Sequence, residues 1–153
     1  MRNFREAPAT VRVAFVSWLV AVAAGVLETL LVLTGGEVQS GLVAGVTIRA
    51  VVFVTAVVVA CRMLAGRRWA RLALAVGLGV VGLSSLVADP LTWLAEGNSV
   101  ASLLADSTMT DLLFGAVRAI HILAVLAATA LMFTPPSNAW FRPGPAFGLH
   151  PVV

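Results

Sequence analysis

The chain has 153 residues, of which 60% are hydrophobic and only 11% charged, with a mean hydropathy of +1.02. That balance lies outside the soluble globular norm and marks an integral membrane protein. All ten basic residues are arginines and eight of them lie at or near the ends of apolar runs, so the formal charge of +3 reflects membrane orientation and does not support a nucleic-acid-binding surface.

Runs of about 20 apolar residues are long enough to cross a bilayer, and four occur in chain order. The first, Val13 to Thr34, follows Arg2, Arg5 and Arg12 and contains "AVA" at Ala21 to Ala23, a pattern resembling a secretory signal peptide. Because the apolar run continues past that point to Thr34, it is read as a retained span. The second is Leu42 to Leu64, the third Trp69 to Leu94 and the fourth Leu112 to Thr134. Turn-forming stretches separate them: "GGEVQSG", "AGRR" and, after the fourth, "PPSN". The longer third connection, "AEGNSVASLLADSTMT", holds Val100, Leu103 and Leu104 at helical spacing, compatible with a short surface helix or an ordinary loop. The expected organisation is an all-α, four-helix transmembrane bundle over residues 1–134, followed by a proline- and glycine-rich tail, 135–153. That tail reads as irregular and anchored by Trp140 and Phe141.

Charge asymmetry predicts the orientation. The N-terminus, the second connection and the tail carry Arg2, Arg5, Arg12, Arg62, Arg67, Arg68, Arg71 and Arg142, whereas the opposite connections carry Glu37, Glu96, Asp106 and Asp111 and no arginine. The positive-inside rule then puts both termini in the cytoplasm, with Trp69 and Trp140 at one interface and Trp93 at the other. Arg62, Arg67, Arg68 and Arg71 form a cytoplasmic basic patch suited to anionic lipid. The third span adds Ala75, Gly79 and Gly82 at helical spacing, a small-residue stripe that permits close helix crossing, and Pro90 at its outer edge.

Three full charges fall well inside the spans, away from their ends: Glu28, Arg49 and Arg118. At a rise of about 1.5 Å per residue, they lie about 10, 12 and 10 Å below the outer ends of their helices, with His121 about 15 Å down. Each sits on a face with small residues: Ala21, Ala24 and Gly25 beside Glu28, Gly45 and Ala56 beside Arg49, and Gly115 beside Arg118. An unpaired arginine at mid-bilayer costs about 2.5–3.5 kcal/mol on insertion scales. The expectation is therefore an Arg49–Glu28–Arg118 cluster, with Asp89 or Asp111 compensating the remaining positive charge and His121 beneath as a packing or ligand-contacting group.

The order of features, "VRVAFVSWLVAV", a late glutamate in the first span, "GRRWARLAL" and "PPSNAWFR", resembles small four-span membrane proteins of GC-rich actinobacteria. No activity is attached to that group, so the likeness implies no catalytic or binding residues. The single Cys61 excludes an intramolecular disulfide or a CxxC redox pair, and His121 with His150 does not supply paired haem ligands. The acids lack metal-ligand spacing, and no nucleophile triad, HExxH or phosphate loop occurs, so neither enzyme activity, metal nor cofactor is expected. Two readings remain: an accessory or scaffold component with a membrane-protein partner or as a homo-oligomer, and a small transporter or channel with an outer-facing polar cavity binding an anion, an anionic lipid or a proton. A cavity reaching His121 favours the second, and a dry, fully paired cluster the first.

Overall fold

Within hydrocarbon, a helix satisfies every backbone N–H and C=O from its own segment, and each apolar run takes that solution. The computed structural model describes residues 4–34, 41–101 and 107–142. Helix α1 spans Ala9–Thr34, α2 Leu42–Leu64, α3 Arg68–Ala95 and α4 Met109–Met132, each long and apolar enough to cross a membrane. A short α5, Pro135–Trp140, follows. The long helices run up, down, up and down, with α1 packed mainly on α4 and then on α2, and α3 against α2 and α4. Large apolar side chains cover the outside, among them Val43 (80% exposed), Ile48 and Leu123 (both 64%), as a lipid-facing surface requires.

Helix α3 is not uniformly α-helical. Its middle, Ala75–Gly82, widens into a π-helical stretch between α-helical ends, in the segment "AVGLGVVG". Gly79 lies there against α4, where a Cβ would come within 2.9 Å of Thr129 Oγ1. The small-residue stripe is therefore a contact inside the bundle at Gly79, whereas Gly77 has nothing within 4 Å of its Cβ position. Pro90 neither ends nor interrupts the span, which continues to Ala95.

Packing is uneven along the bundle. At the end that carries both described termini, Val11, Trp18, Met63, Leu74, Met132 and Phe141 are all at most 4% exposed and fill the centre. Trp18 Nε1 donates to the sulfur of Met132 at 3.4 Å across that core. Toward the other end, α2 has no buried residue before Ala56 and α3 none after Leu74. The bundle is closed at its terminal end and parted at its loop end.

In its described part, to residue 142, the tail departs from the irregular segment expected over 135–153. Thr134 is extended and Pro135 and Pro136 occupy the first helical positions, where a missing N–H costs nothing, so α5 forms at once. Ser137 is fully buried, with its Oγ 2.7 Å from the Leu131 carbonyl oxygen, 2.9 Å from Thr10 Oγ1 and 3.1 Å from Thr134 Oγ1. The carbonyl only accepts, so the single Ser137 proton goes there and its oxygen accepts from a threonine. The surface helix considered around Leu103 and Leu104 falls on residues outside those described, as do Glu37, Asp106 and His150.

Ser137→Ala leaves this buried set of polar groups without its hub. We expect a loss of about 1–3 kcal/mol in stability, read as a lowered thermal midpoint in detergent. An unchanged midpoint would show that α5 is not fastened through Ser137.

Candidate functional site

The site is set by what fails to fill the loop end of the bundle. Where the terminal half has Trp18, Met63 and Met132, the corresponding inner positions beyond them hold Gly25, Glu28, Ser85 and His121. They surround a cavity of about 360 Å³, whose walls also include Arg49, Phe53, Asp89, Phe114 and Arg118. All four residues singled out from the sequence, Glu28, Arg49, Arg118 and His121, line this one space.

Their partners differ from the expected arrangement. Glu28 pairs with His121, Nδ1 to Oε1 at 3.1 Å, and with neither arginine. The two side chains are 14% and 19% exposed, at the inner part of the cavity. Gly25 makes the approach possible, since a Cβ there would meet the Phe53 ring at 2.9 Å and His121 Cε1 at 3.2 Å. Thr29 reinforces the same turn by donating to the Gly25 carbonyl at 2.8 Å. Either the imidazole N–H donates to a carboxylate or a carboxyl donates to the ring nitrogen, so the pair shares one proton along this contact.

Arg118 is satisfied by backbone. Its Nε and Nη2 donate to the Leu86 carbonyl at 3.1 and 2.6 Å. Residue 90, four positions on, is the proline inside α3, which has no N–H to return to Leu86. Pro90 thereby leaves open a carbonyl that a membrane-embedded guanidinium needs. Phe114, with its ring centroid 5.9 Å from Arg118 Cζ, flanks the same group.

Arg49 has neither kind of partner. Among the described residues no carboxylate lies within 4.0 Å of it, and its side chain is exposed along the cavity wall. The close helix approach expected from small neighbours occurs at Gly25 but not at Gly45 or Gly115, which have nothing within 4 Å of their Cβ positions. Asp89 joins the lining, so the formal charges balance at two arginines and two acids, yet the acids are not on the arginines. Asp111 is engaged elsewhere: its carboxylate accepts from Thr108 N at 2.9 Å and Thr108 Oγ1 at 2.6 Å in a capping box that starts α4. Sequence reasoning passed over that box, although "TMTD" at residues 108–111 carries its spacing.

A second, more open cavity of about 780 Å³ lies between α3 and α4 at the loop end, walled by Trp93, Asn98 and Asp111. Phe114 and Arg118 face both spaces and form the partition. Of the basic patch, Arg62 and Arg67 are exposed at the terminal end, while Arg68 and Arg71 turn toward α5.

Gly25→Ala places a methyl group into the Phe53 ring and toward His121. We expect a cost of about 1–3 kcal/mol and separation of His121 from Glu28. The first is read by thermal melting and the second by the ¹⁵N shifts of the single histidine within the spans; wild-type values for both would refute the role given to Gly25.

No family model, curated protein or solved structure matches the chain. The functional reading therefore rests on this cavity and its charges.

Proposed function

We propose that the chain is a non-enzymatic multi-pass membrane protein that binds a small anion, or the anionic group of a lipid, in the one-sided polar cavity, the binding step of a small carrier. The observation that carries this reading is Arg49, a guanidinium on the cavity wall with no carboxylate within 4.0 Å among the described residues. A permanently charged group at that depth is stabilised by water or by a bound counter-ion. Arg118 faces the same space with its charge held by a carbonyl dipole and not neutralised by an acid. The scaffold reading calls for a dry, fully paired cluster, and the open volume beside Arg49 favours the alternative.

The packing of the terminal end supports a pocket over a continuous pore. Under the positive-inside rule the arginine-rich terminal end is cytoplasmic and the pocket opens to the outside, in the cell membrane.

Two experiments test these statements. At constant ionic strength, a carboxylate or phosphate salt at 100 times its dissociation constant raises stability by about 2.7 kcal/mol, and Arg49→Gln abolishes that gain. Equal melting of wild type and Arg49→Gln across anions returns the chain to the scaffold reading. For orientation, a phosphatase that needs oxidising conditions is expected to be inactive at the C-terminus and active when inserted at Gly97; the reverse pattern inverts the topology.

A further inference from the structure

At the terminal end, α3 opens with Arg68 and presents Arg71 one turn later on the same face. Both guanidiniums are held by the end of α4 and the chain that follows it. Arg71 Nη1 donates to Asn138 Oδ1 at 2.7 Å and to the Met132 carbonyl at 3.3 Å. Its Cζ also stands 4.6 Å from the Phe133 ring centroid and 4.9 Å from that of Phe141. Arg68 Nε donates to the Phe141 carbonyl.

These acceptors are all neutral, and the contacts use one nitrogen of each arginine, leaving further donors of each fork. Among the described residues no carboxylate lies within 4.0 Å of either group, and residues 143–153 contain no Asp or Glu. Two like charges one turn apart repel, and among the described residues no acid offsets that repulsion. Arg68, Arg71, Leu72, Asn138 and Phe141 line an open cavity of about 190 Å³.

We propose that this corner is a specific site for the phosphoryl oxyanion of an anionic phospholipid headgroup, recognised by the forked donors of Arg68 and Arg71. The lipid source follows from the apolar surroundings: Leu72, on the cavity wall, is 55% exposed, and Trp69, three residues earlier on α3, is 54% exposed, so apolar surface continues from the cavity to the lipid-facing side. Arg62 and Arg67 do not line the cavity and contribute only general attraction. The site is independent of the polar pocket at the opposite end.

The test uses the full chain, purified in detergent and delipidated, with native mass spectrometry and thermal melting. Phosphatidylglycerol is expected to remain bound one to one and to raise the midpoint, while phosphatidylcholine does neither. Arg68→Lys keeps the charge but loses the fork and is expected to weaken phosphatidylglycerol binding at least tenfold, with Arg67→Gln within twofold of wild type. Leu72→Glu puts a carboxylate on the cavity wall without touching the contacts to α5, and is expected to abolish binding even if Arg68→Lys does not fold. Inorganic phosphate that displaces the lipid supports phosphoryl recognition; phosphate that stabilises the protein as strongly as phosphatidylglycerol overturns the lipid assignment. Equal binding of both lipids, or unchanged binding in Leu72→Glu, overturns the site.

Discussion

An arginine keeps its proton in hydrocarbon, so each guanidinium inside the spans must find oxygen or water, and the loop half of this bundle is arranged around that requirement. Arg118 finds a backbone carbonyl that Pro90 cannot engage. Because the carbonyl meets its need, Glu28 is left to His121, and Arg49 is left on an open wall. A paired Arg49–Glu28–Arg118 cluster would have closed the space with its own charges. The carbonyl solution keeps it open.

The same half lacks material to fill it. Trp18, Met63, Leu74 and Met132 interdigitate at the terminal end, and Ser137, Thr10 and the α5 helix lock that end from below. Beyond Ala56 on α2 and Leu74 on α3 no residue of these helices is buried toward the loop end. Small residues in lipid allow close approach only where a partner presents a surface to meet them. Gly25 meets Phe53 and His121, and Gly79 meets Thr129, whereas Gly45 and Gly115 meet nothing. A tight base with a parted mouth is the result.

Much of this was legible from side-chain patterns. The bounds of α2 coincide with its apolar run, and the depths of Glu28, Arg49 and Arg118 pointed to a shared level with His121 beneath; all four line one cavity. The partner choice was not legible, because a count of charged side chains contains no backbone acceptors. Pro90 was the available signal: a proline inside a span frees the carbonyl four residues earlier, here Leu86. The π-helical turn over "AVGLGVVG" was also missed, since three glycines at small spacing read equally well as an α-helical stripe. In the tail, composition suggested irregular chain, while Thr134 with two prolines at the helix start and the buried Ser137 decided for a helix.

Binding in the polar cavity requires that it be reachable from the loop end and sealed from the terminal end. In a Cys61→Ser background, Ser85→Cys lies on the cavity wall and Ala128→Cys in the packed base, where Ala128 is 0% exposed. A membrane-impermeant thiol reagent applied from each side of the membrane is predicted to label Ser85→Cys from the loop side only and Ala128→Cys from neither. Protection of Ser85→Cys from both sides would contradict an open pocket, and its labelling from the terminal side would contradict the seal.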